Sequence, residues 1–319
     1  MEREMYAVID IGSNTIRLSI FNIVENKIKL ILNKKEMTGL ASYVDKHKNL
    51  TKEGMAKAID VLLEYRNVLE QIHIEHVFVF ATASLRNVHN SIEATAIITR
   101  HCGFDIRVLS GKEEAMFDHF GSIQTVKDKH GLLVDIGGGS TELVFYKEKE
   151  IVKAISLPVG SLTMYTSHVA EILPKKSEIK KISEVVEQHL SHIQLQELEF
   201  DNMTICGVGG TVRAACKLNN TMLGLPKDNL RIEVEDLQAM TSYLQKEKKE
   251  MSGIVLKVVP ERIHTLFPGI TILNTVAKIY DAGSVVVSPY GVREGYLYYQ
   301  LLKKGKIQGE SLDEKLYSK

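Results

Sequence analysis

The stretch V-D-I-G-G-G-S-T-E-L-V-F at residues 134–145 closely resembles V-I-D-I-G-S-N-T-I-R-L-S-I-F at residues 8–21. Alignment on Asp-Ile-Gly places Asp10 on Asp135, an offset of 135 − 10 = 125 residues. In both stretches an apolar run ends in an aspartate, a short segment with one or more glycines follows, and a second apolar run begins. The repeat predicts two halves of the chain that share one structural plan.

Length and composition agree with two globular domains. The chain has 319 residues, more than the roughly 100 to 200 of a typical single domain. Its 40 basic and 40 acidic side chains cancel, so no overall charge favours nucleic acid or an anionic membrane. Neither a run of about 20 apolar residues nor the apolar core of a signal peptide is found. We therefore expect a cytoplasmic protein with no nucleic-acid or membrane partner.

Hydrophobic periodicity predicts an α/β fold with the same start in each half. The first half is predicted to begin with an antiparallel meander of strands and to continue with alternating helices and strands: strands 6–11, 15–22 and 27–32, helix 51–72, strand 77–81, helix 91–101, strand 105–109 and helix 112–125. The second half repeats the three strands, at 132–136, 142–147 and 151–157, and is predicted to continue with a helix around 179–190, strand 203–208, a helix after Gly210, strand 285–287 and helix 292–303. The three cysteines, Cys102, Cys206 and Cys216, lack metal-ligand spacing and are expected to be buried free thiols.

The two Asp-Ile-Gly loops have the composition of phosphate-binding turns. Glycine lets backbone N–H groups turn toward an anion without a Cβ in the way. The P-loop is excluded because neither loop has Gly-Lys-Ser or Gly-Lys-Thr, and the dinucleotide fingerprint is excluded because its glycines lead into a helix. The predicted phosphate-binding residues are Gly12, Ser13, Asn14 and Thr15 in the first loop, and Gly137, Gly138, Gly139, Ser140 and Thr141 in the second.

A third glycine loop, C-G-V-G-G-T at residues 206–211, follows a predicted strand and opens a predicted helix. The amides of Gly209 and Gly210 could face an anion or a nucleoside there. A helix start that needs only small residues accounts for this loop equally well. The aspartates that precede the first two loops are hard oxygen donors suited to Mg²⁺ shared with phosphate oxygens.

Six motifs in order resemble the exopolyphosphatase and guanosine pentaphosphate phosphohydrolase family. The match runs from Ala7 to Gly295, and its motifs are D-I-G-S-N-T-I-R, A-T-A-S-L-R-N-V-H-N, S-G-K-E-E-A, D-I-G-G-G-S-T-E, G-G-T and G-V-R-E-G. The resemblance implies the actin, hexokinase and chaperone ATPase superfold, with two RNase H-like domains facing across a cleft and one phosphate loop from each. It places the first domain at residues 1–118 with a returning helix at about 297–319, and the second domain at residues 119–296.

The resemblance also implies roles for individual residues. It makes Glu114, in S-G-K-E-E-A, the catalytic carboxylate, which would orient a water molecule in line with the phosphoanhydride and accept its proton. Without the resemblance, Glu113 and Glu114 would be a capping feature of a helix start. Arg17 and Arg86 occupy the basic positions of the family, where guanidinium groups suit phosphate oxygens, although each could instead form a surface ion pair.

The metal ligands expected from these positions are Asp135 and Glu142, directly or through water, with Asp10 on the other wall of the cleft. Mg²⁺ is the expected cation, and the sequence does not distinguish it from Mn²⁺. Two residues depart from the pattern common in the family: Met116 replaces the arginine of E-E-A-R, and His264 replaces the aspartate of E-R-A-D. These departures put the local contacts to substrate at both places in question.

The main prediction is an exopolyphosphatase that releases terminal orthophosphate from inorganic polyphosphate. Guanosine pentaphosphate is the alternative substrate, and a kinase of the same superfold or a phosphate-polymer sensor without activity are weaker alternatives. The chain ends 24 residues after Gly295, before the helical C-terminal region of long family members, so we expect distributive cleavage. A homodimer that aligns two clefts into a longer channel is left open.

Overall fold

The computed structural model describes residues 4–25, 27–123, 126, 128–193 and 203–307. The chain divides into two compact units, unit 1 at Met1–Gly121 with Gly291–Lys319 and unit 2 at Ser122–Tyr290. The predicted division after residue 118 lies just before this boundary. The predicted return at about 297 falls inside the last helix, which begins at Val292. Residues 308–319 of the predicted returning segment lie outside the described residues.

Unit 1 contains one mixed five-stranded sheet in the order β3-β2-β1-β4-β5. Its strands are β1 at Met5–Ile11, β2 at Thr15–Val24, β3 at Lys27–Met37, β4 at His76–Ala81 and β5 at Ile106–Val108. The first three are antiparallel neighbours, whereas β1, β4 and β5 are parallel. The predicted meander is confirmed, but β3 continues well past the predicted end at residue 32. Residues 33–37 are mostly polar because β3 is an exposed edge strand, so apolar periodicity does not mark its end.

Among the residues of unit 1 that the structure describes, five α-helices lie around this sheet. They are α1 at Lys52–Gln71, α2 at Ala83–Arg86, α3 at Ser91–Cys102, α4 at Gly111–Ser122 and α11 at Val292–Lys303. Thr51 caps α1 by accepting a hydrogen bond from Gly54 N at 3.2 Å. The buried face of α1 carries side chains spaced by three or four residues, namely Met55, Ala58, Leu62, Tyr65 and Leu69. Residues 124 and 125, the predicted end of α4, lie outside the described residues.

Both faces of the unit 1 sheet are covered, as alternate residues of β4 show. Val77, Val79 and Ala81 belong to the cluster formed with α1 and α3. Phe78 and Phe80 point to the other face, where their rings lie 6.4 and 4.9 Å from that of Tyr296 on α11. The final helix is therefore part of the core of unit 1.

Helices α4 and α11 pack closely against each other at glycine positions. A Cβ on Gly295 would lie 1.9 Å from Phe117 O, and a Cβ on Gly121 would lie 2.3 Å from Gly291 O. Real Cβ atoms do not approach backbone oxygens this closely, so these positions let the two backbones approach each other. This contact explains the glycine at the end of the G-V-R-E-G motif, Gly295, and its counterpart Gly121 in α4.

Gly295→Ala is expected to destabilise the protein by about 1–3 kcal/mol or more, because the added methyl group forces the α4 and α11 backbones apart. Urea denaturation measures this change. The matched control is Gly253→Ala in the helix at Lys248–Val258, where an added Cβ meets nothing within 4 Å. That variant is expected to gain roughly 0.5–1 kcal/mol, since alanine favours a helix interior. Equal effects of the two substitutions would contradict the packing argument.

Unit 2 repeats the plan of unit 1. Its six-stranded sheet has the order β10-β11-β9-β6-β7-β8. The strands are β6 at Gly131–Ile136, β7 at Thr141–Lys147, β8 at Glu150–Leu157, β9 at Met203–Val208, β10 at Arg231–Glu233 and β11 at Ala282–Val287. The order β8-β7-β6-β9-β11 corresponds to β3-β2-β1-β4-β5, with the same antiparallel and parallel neighbours. The repeat predicted from the sequence is thus confirmed, and β10 is an antiparallel addition at the edge.

The described part of unit 2 has six α-helices: α5 at Ser161–His168, α6 at Lys176–Leu190, α7 at Gly209–Leu223, α8 at Val234–Lys246, α9 at Lys248–Val258 and α10 at Leu266–Ile279. A 3₁₀ turn at Pro260–Arg262 precedes α10. The predictions did not include α5, α8, α9 and α10. Helix α10 is buried on nearly all sides, so its sequence has no polar face to reveal the helical period.

The three cysteines are buried free thiols, as predicted. Every helix within the described part of the chain is too short or too polar to span a bilayer.

Candidate active site

The first glycine loop joins β1 to β2 in a tight hairpin. Gly12 N donates a hydrogen bond to Thr15 O at 3.1 Å. Asp10 lies directly opposite Arg17 in the antiparallel register, so a carboxylate and a guanidinium group lie side by side where the strands meet the loop. The carbonyl groups of the loop accept hydrogen bonds from residues 38–41: Asn14 O from Thr38 N and Gly39 N, and Ser13 O from Ala41 N. These bonds hold all four predicted phosphate-binding residues in one shape.

The second loop is the same hairpin in unit 2. Gly137 N donates to Ser140 O at 2.9 Å, and Asp135 lies opposite Glu142 at the register that Asp10 and Arg17 occupy in unit 1. The first turn of α5 packs on this loop, because Ser161 N donates to Gly137 O at 2.9 Å. Thr141 Oγ1 donates to Val159 O at 2.5 Å, and its side chain is fully buried. This buried hydrogen bond therefore ties the end of the second loop to the segment just before α5.

The third loop lies beside the second in the same unit. Strands β6 and β9 are parallel neighbours, with Asp135 opposite Val208, and α7 begins at the next residue. Gly209 has φ +83°, a conformation that favours glycine, and a Cβ there would lie 2.0 Å from Asp135 Oδ1. The carboxylate of Asp135 thus lies against the N-terminus of α7. The fold therefore places Asp135, Glu142, Gly209 and Gly210 at one end of the unit 2 sheet.

Glu142 is almost completely buried, at 1% exposure, and Ser156 Oγ donates a hydrogen bond to its Oε1 at 2.8 Å. Asp135 beside it is half-buried. Among the described residues, no group of three or more His, Cys, Asp or Glu side chains is placed to hold a metal ion. Two adjacent carboxylates still fit Mg²⁺, which binds one or two protein carboxylates and completes its shell with phosphate oxygens and water.

Arg262 is a candidate residue that the sequence reasoning missed. Its guanidinium group lies over the third loop, with Nη2 2.1 Å from where a Cβ of Gly210 would be. Its Nη1 lies 3.4 Å from Thr211 Oγ1. In the sequence, the E-R-I-H segment stands out only through His264. The fold shows that the 3₁₀ turn places Arg262 on the third glycine loop. Met116, the other departure from the family pattern, is buried in unit 1.

The adjacent carboxylates Glu113 and Glu114 have different partners in unit 1. Glu113 forms a capping box with Ser110: its Oε2 accepts from Ser110 N at 2.8 Å, and its own N donates to Ser110 Oγ at 3.2 Å. Its Oε1 also accepts from Arg107 Nη2 at 2.5 Å. Burial acts to raise the pKa of Glu113, but the Ser110 hydrogen bonds and the Arg107 guanidinium outweigh it and hold that pKa below its ordinary value. Glu113 thus has a structural role.

Glu114 points elsewhere and pairs with the predicted basic residue. It is 7% exposed, and Arg86 Nη1, at the end of α2, donates to its Oε2 at 2.5 Å. The same Arg86 nitrogen donates to Leu109 O at 3.2 Å. This ion pair is an internal contact that holds a carboxylate and a guanidinium group together, unlike the surface ion pair weighed as the alternative role of Arg86. The fold of unit 1 thus brings Glu114 and Arg86 together.

Glu113→Gln is expected to lower stability by about 1 kcal/mol at pH 7, the usual cost of a lost helix cap. Because the folded-state pKa is lowered, this stabilisation is complete above the ordinary value of 4.5 and is lost as the pH falls through the folded-state pKa. Urea denaturation of parent and variant from pH 7 down to pH 3 measures it. A stability difference that stays constant over this range would contradict an ionised Glu113.

Comparison of the chain with protein families, with named relatives and with solved structures gives matches that agree with one another. A sequence model described as the Ppx/GppA phosphatase family matches residues 19–304. A guanosine-5'-triphosphate,3'-diphosphate pyrophosphatase of Vibrio vulnificus is 27% identical over 97% of this chain, which spans 62% of the Vibrio protein. A Haemophilus influenzae protein with the provisional name exopolyphosphatase is 24% identical over 92% of this chain and 90% of its own length. The crystal structure of the Aquifex aeolicus member of the same family has a TM-score of 0.75 at 26% identity and covers 94% of this chain and 98% of its own.

Proposed function

The chain belongs to the Ppx/GppA phosphatase family, and we propose that it is a phosphoanhydride hydrolase that releases terminal orthophosphate from inorganic polyphosphate. The relative matched along nearly its whole length carries an exopolyphosphatase name. Guanosine pentaphosphate is the second candidate substrate, supported by the names of the Vibrio relatives, although the chain spans only about three fifths of their length.

The observation that carries this proposal is the ion pair of the buried Glu114 with the partly buried Arg86. A carboxylate held by a guanidinium group can orient a water molecule and accept its proton, and a guanidinium group can bind the oxygens of the phosphate under attack. Helix α4 holds Glu114 in place at its first turn, where the neighbouring Glu113 caps the helix. The proton would therefore pass from the attacking water to the Glu114 carboxylate.

Within each unit, the glycine loops would bind phosphate groups. Backbone amides suit phosphate oxygens at the first loop of unit 1, beside Arg17, and at the second and third loops of unit 2, beside Arg262. Asp135 and Glu142 would hold Mg²⁺ or Mn²⁺, and this ion would neutralise charge on the phosphate oxygens. Asp10 lies next to Arg17, so we assign it a weaker role as a metal ligand than Asp135 and Glu142.

An orthophosphate-release assay tests the proposal. Purified protein is incubated with polyphosphate, guanosine pentaphosphate or ATP, with Mg²⁺ or with EDTA. We expect orthophosphate from polyphosphate, at a rate that depends on Mg²⁺ and exceeds that with ATP. Phosphate transfer from ATP to an acceptor would instead support a kinase, and tight polyphosphate binding without turnover would support a sensor.

A further inference from the structure

Unit 2 contains an aromatic pair that the proposed hydrolysis does not use. The ring of Tyr165 lies 5.1 Å from that of His264, at an interplanar angle of 74°. Tyr165 is on α5 and is partly buried, whereas His264 is exposed between the 3₁₀ turn and α10. His264 is also one of the two residues that depart from the common pattern of the family.

The Tyr165 side of the pair is linked to the second phosphate loop. Helix α5 begins at Ser161, whose N and Oγ both donate to Gly137 O, at 2.9 and 3.0 Å. Tyr165 follows one helical turn later, a rise of about 6 Å along the axis. The tyrosine ring is thus carried by the helix that starts on this loop.

The His264 side is linked to the third phosphate loop. Arg262, two residues earlier, lies over Gly210 and contacts Thr211. Just after His264, α10 packs against the end of the third loop and the first turn of α5, since a Cβ on Gly269 would lie 2.2 Å from Thr211 Cγ2 and 3.4 Å from Ser161 Cβ. The two rings are therefore carried by α5, which begins on the second loop, and by the segment after Arg262, which contacts the third loop.

We propose that Tyr165 and His264 form a nucleobase subsite, on which the guanine of guanosine pentaphosphate stacks while its phosphates are held at the glycine loops. Aromatic side chains stack on bases because every base has a π-face, and each stacked base contributes binding free energy. Inorganic polyphosphate has no base, so the aromatic pair adds no binding free energy for it. This inference rests on the proposed function and assigns a substrate preference within it.

The test compares two substrates that end in the same triphosphate group, guanosine pentaphosphate and inorganic tripolyphosphate. Tyr165→Leu and His264→Ala are each expected to raise KM for guanosine pentaphosphate about tenfold more than KM for tripolyphosphate. Tyr165→Phe keeps the ring and is expected to behave like the parent. Tyr243→Leu, which removes a partly buried tyrosine of α8, is the matched control and is expected to leave the ratio of the two KM values unchanged.

Equal changes in KM for the two substrates, or a Tyr165→Phe variant as impaired as Tyr165→Leu, would overturn the subsite. Calorimetric titration of both compounds into the same variants in EDTA measures binding without turnover. A base-dependent loss of affinity in these titrations would support the subsite even if the parent released no orthophosphate. That combination would refute the proposed hydrolysis alone, so the two failures are distinguishable.

Discussion

Glu114→Gln is expected to lower kcat for orthophosphate release by about 10²- to 10⁴-fold, the usual cost of losing a general base. The amide keeps the shape of the side chain and can still accept a hydrogen bond from Arg86, so polyphosphate binding should persist. The substitution removes the group that takes the proton from water. The measurement is kcat and KM from initial rates of orthophosphate release, with a separate calorimetric titration for binding.

The matched control is Glu113→Gln, the same change one residue earlier. Glu113 is engaged with Ser110 and Arg107, so its substitution is expected to affect stability but to leave kcat within a few-fold of the parent. A Glu114→Gln variant that hydrolyses polyphosphate within threefold of the parent rate would contradict the assignment. A large loss in both variants would indicate that the position of the first turn of α4 matters rather than the Glu114 carboxylate.

The repeat of the Asp-Ile-Gly loops predicted the common plan of the two units because each copy contains the end of one strand, the turn and the start of the next strand. The offset of 125 residues holds in the structure for the cross-strand pairs Asp10 with Arg17 and Asp135 with Glu142. Elements that face solvent on an edge, such as the end of β3, or that are buried all round, such as α10, could not be predicted in this way. Their sequences lack the alternation of polar and apolar residues on which the prediction depends.

Without the family resemblance, the candidate site was predictable only where its residues are close in sequence. Without that resemblance, the roles of Glu113 and Glu114 could not be separated from sequence, because a glutamate pair at a helix start suits both capping and catalysis. The structure gives the two carboxylates different partners, Arg107 for Glu113 and Arg86 for Glu114, and these arginines approach from other elements. Arg262 was missed for the same reason, since more than 50 residues of chain separate it from the loop that it covers.

Asp135→Ala is expected to weaken Mg²⁺ activation by at least about 10- to 100-fold, the size seen when even an outer-shell partner of a metal ligand is lost. Asp135 and Glu142 lie opposite each other on neighbouring strands, and Asp135 Oδ1 lies at the N-terminus of α7, where Gly209 makes room for it. Removing Asp135 leaves the buried Glu142 as the remaining carboxylate of this pair. The metal concentration at half-maximal rate measures the loss.

Mn²⁺ binding followed by electron paramagnetic resonance is a readout that does not depend on turnover, and it should weaken in parallel with activation in Asp135→Ala. Asp228→Ala, at an exposed loop position of the same unit, is the matched control and should keep the parent values. Glu142→Gln should show a similar defect, since Mg²⁺ bound by only one of the two carboxylates loses half of its protein ligands. Parent-like metal dependence in Asp135→Ala would place the cation at another carboxylate, with Asp10 the first to test by the same two measurements.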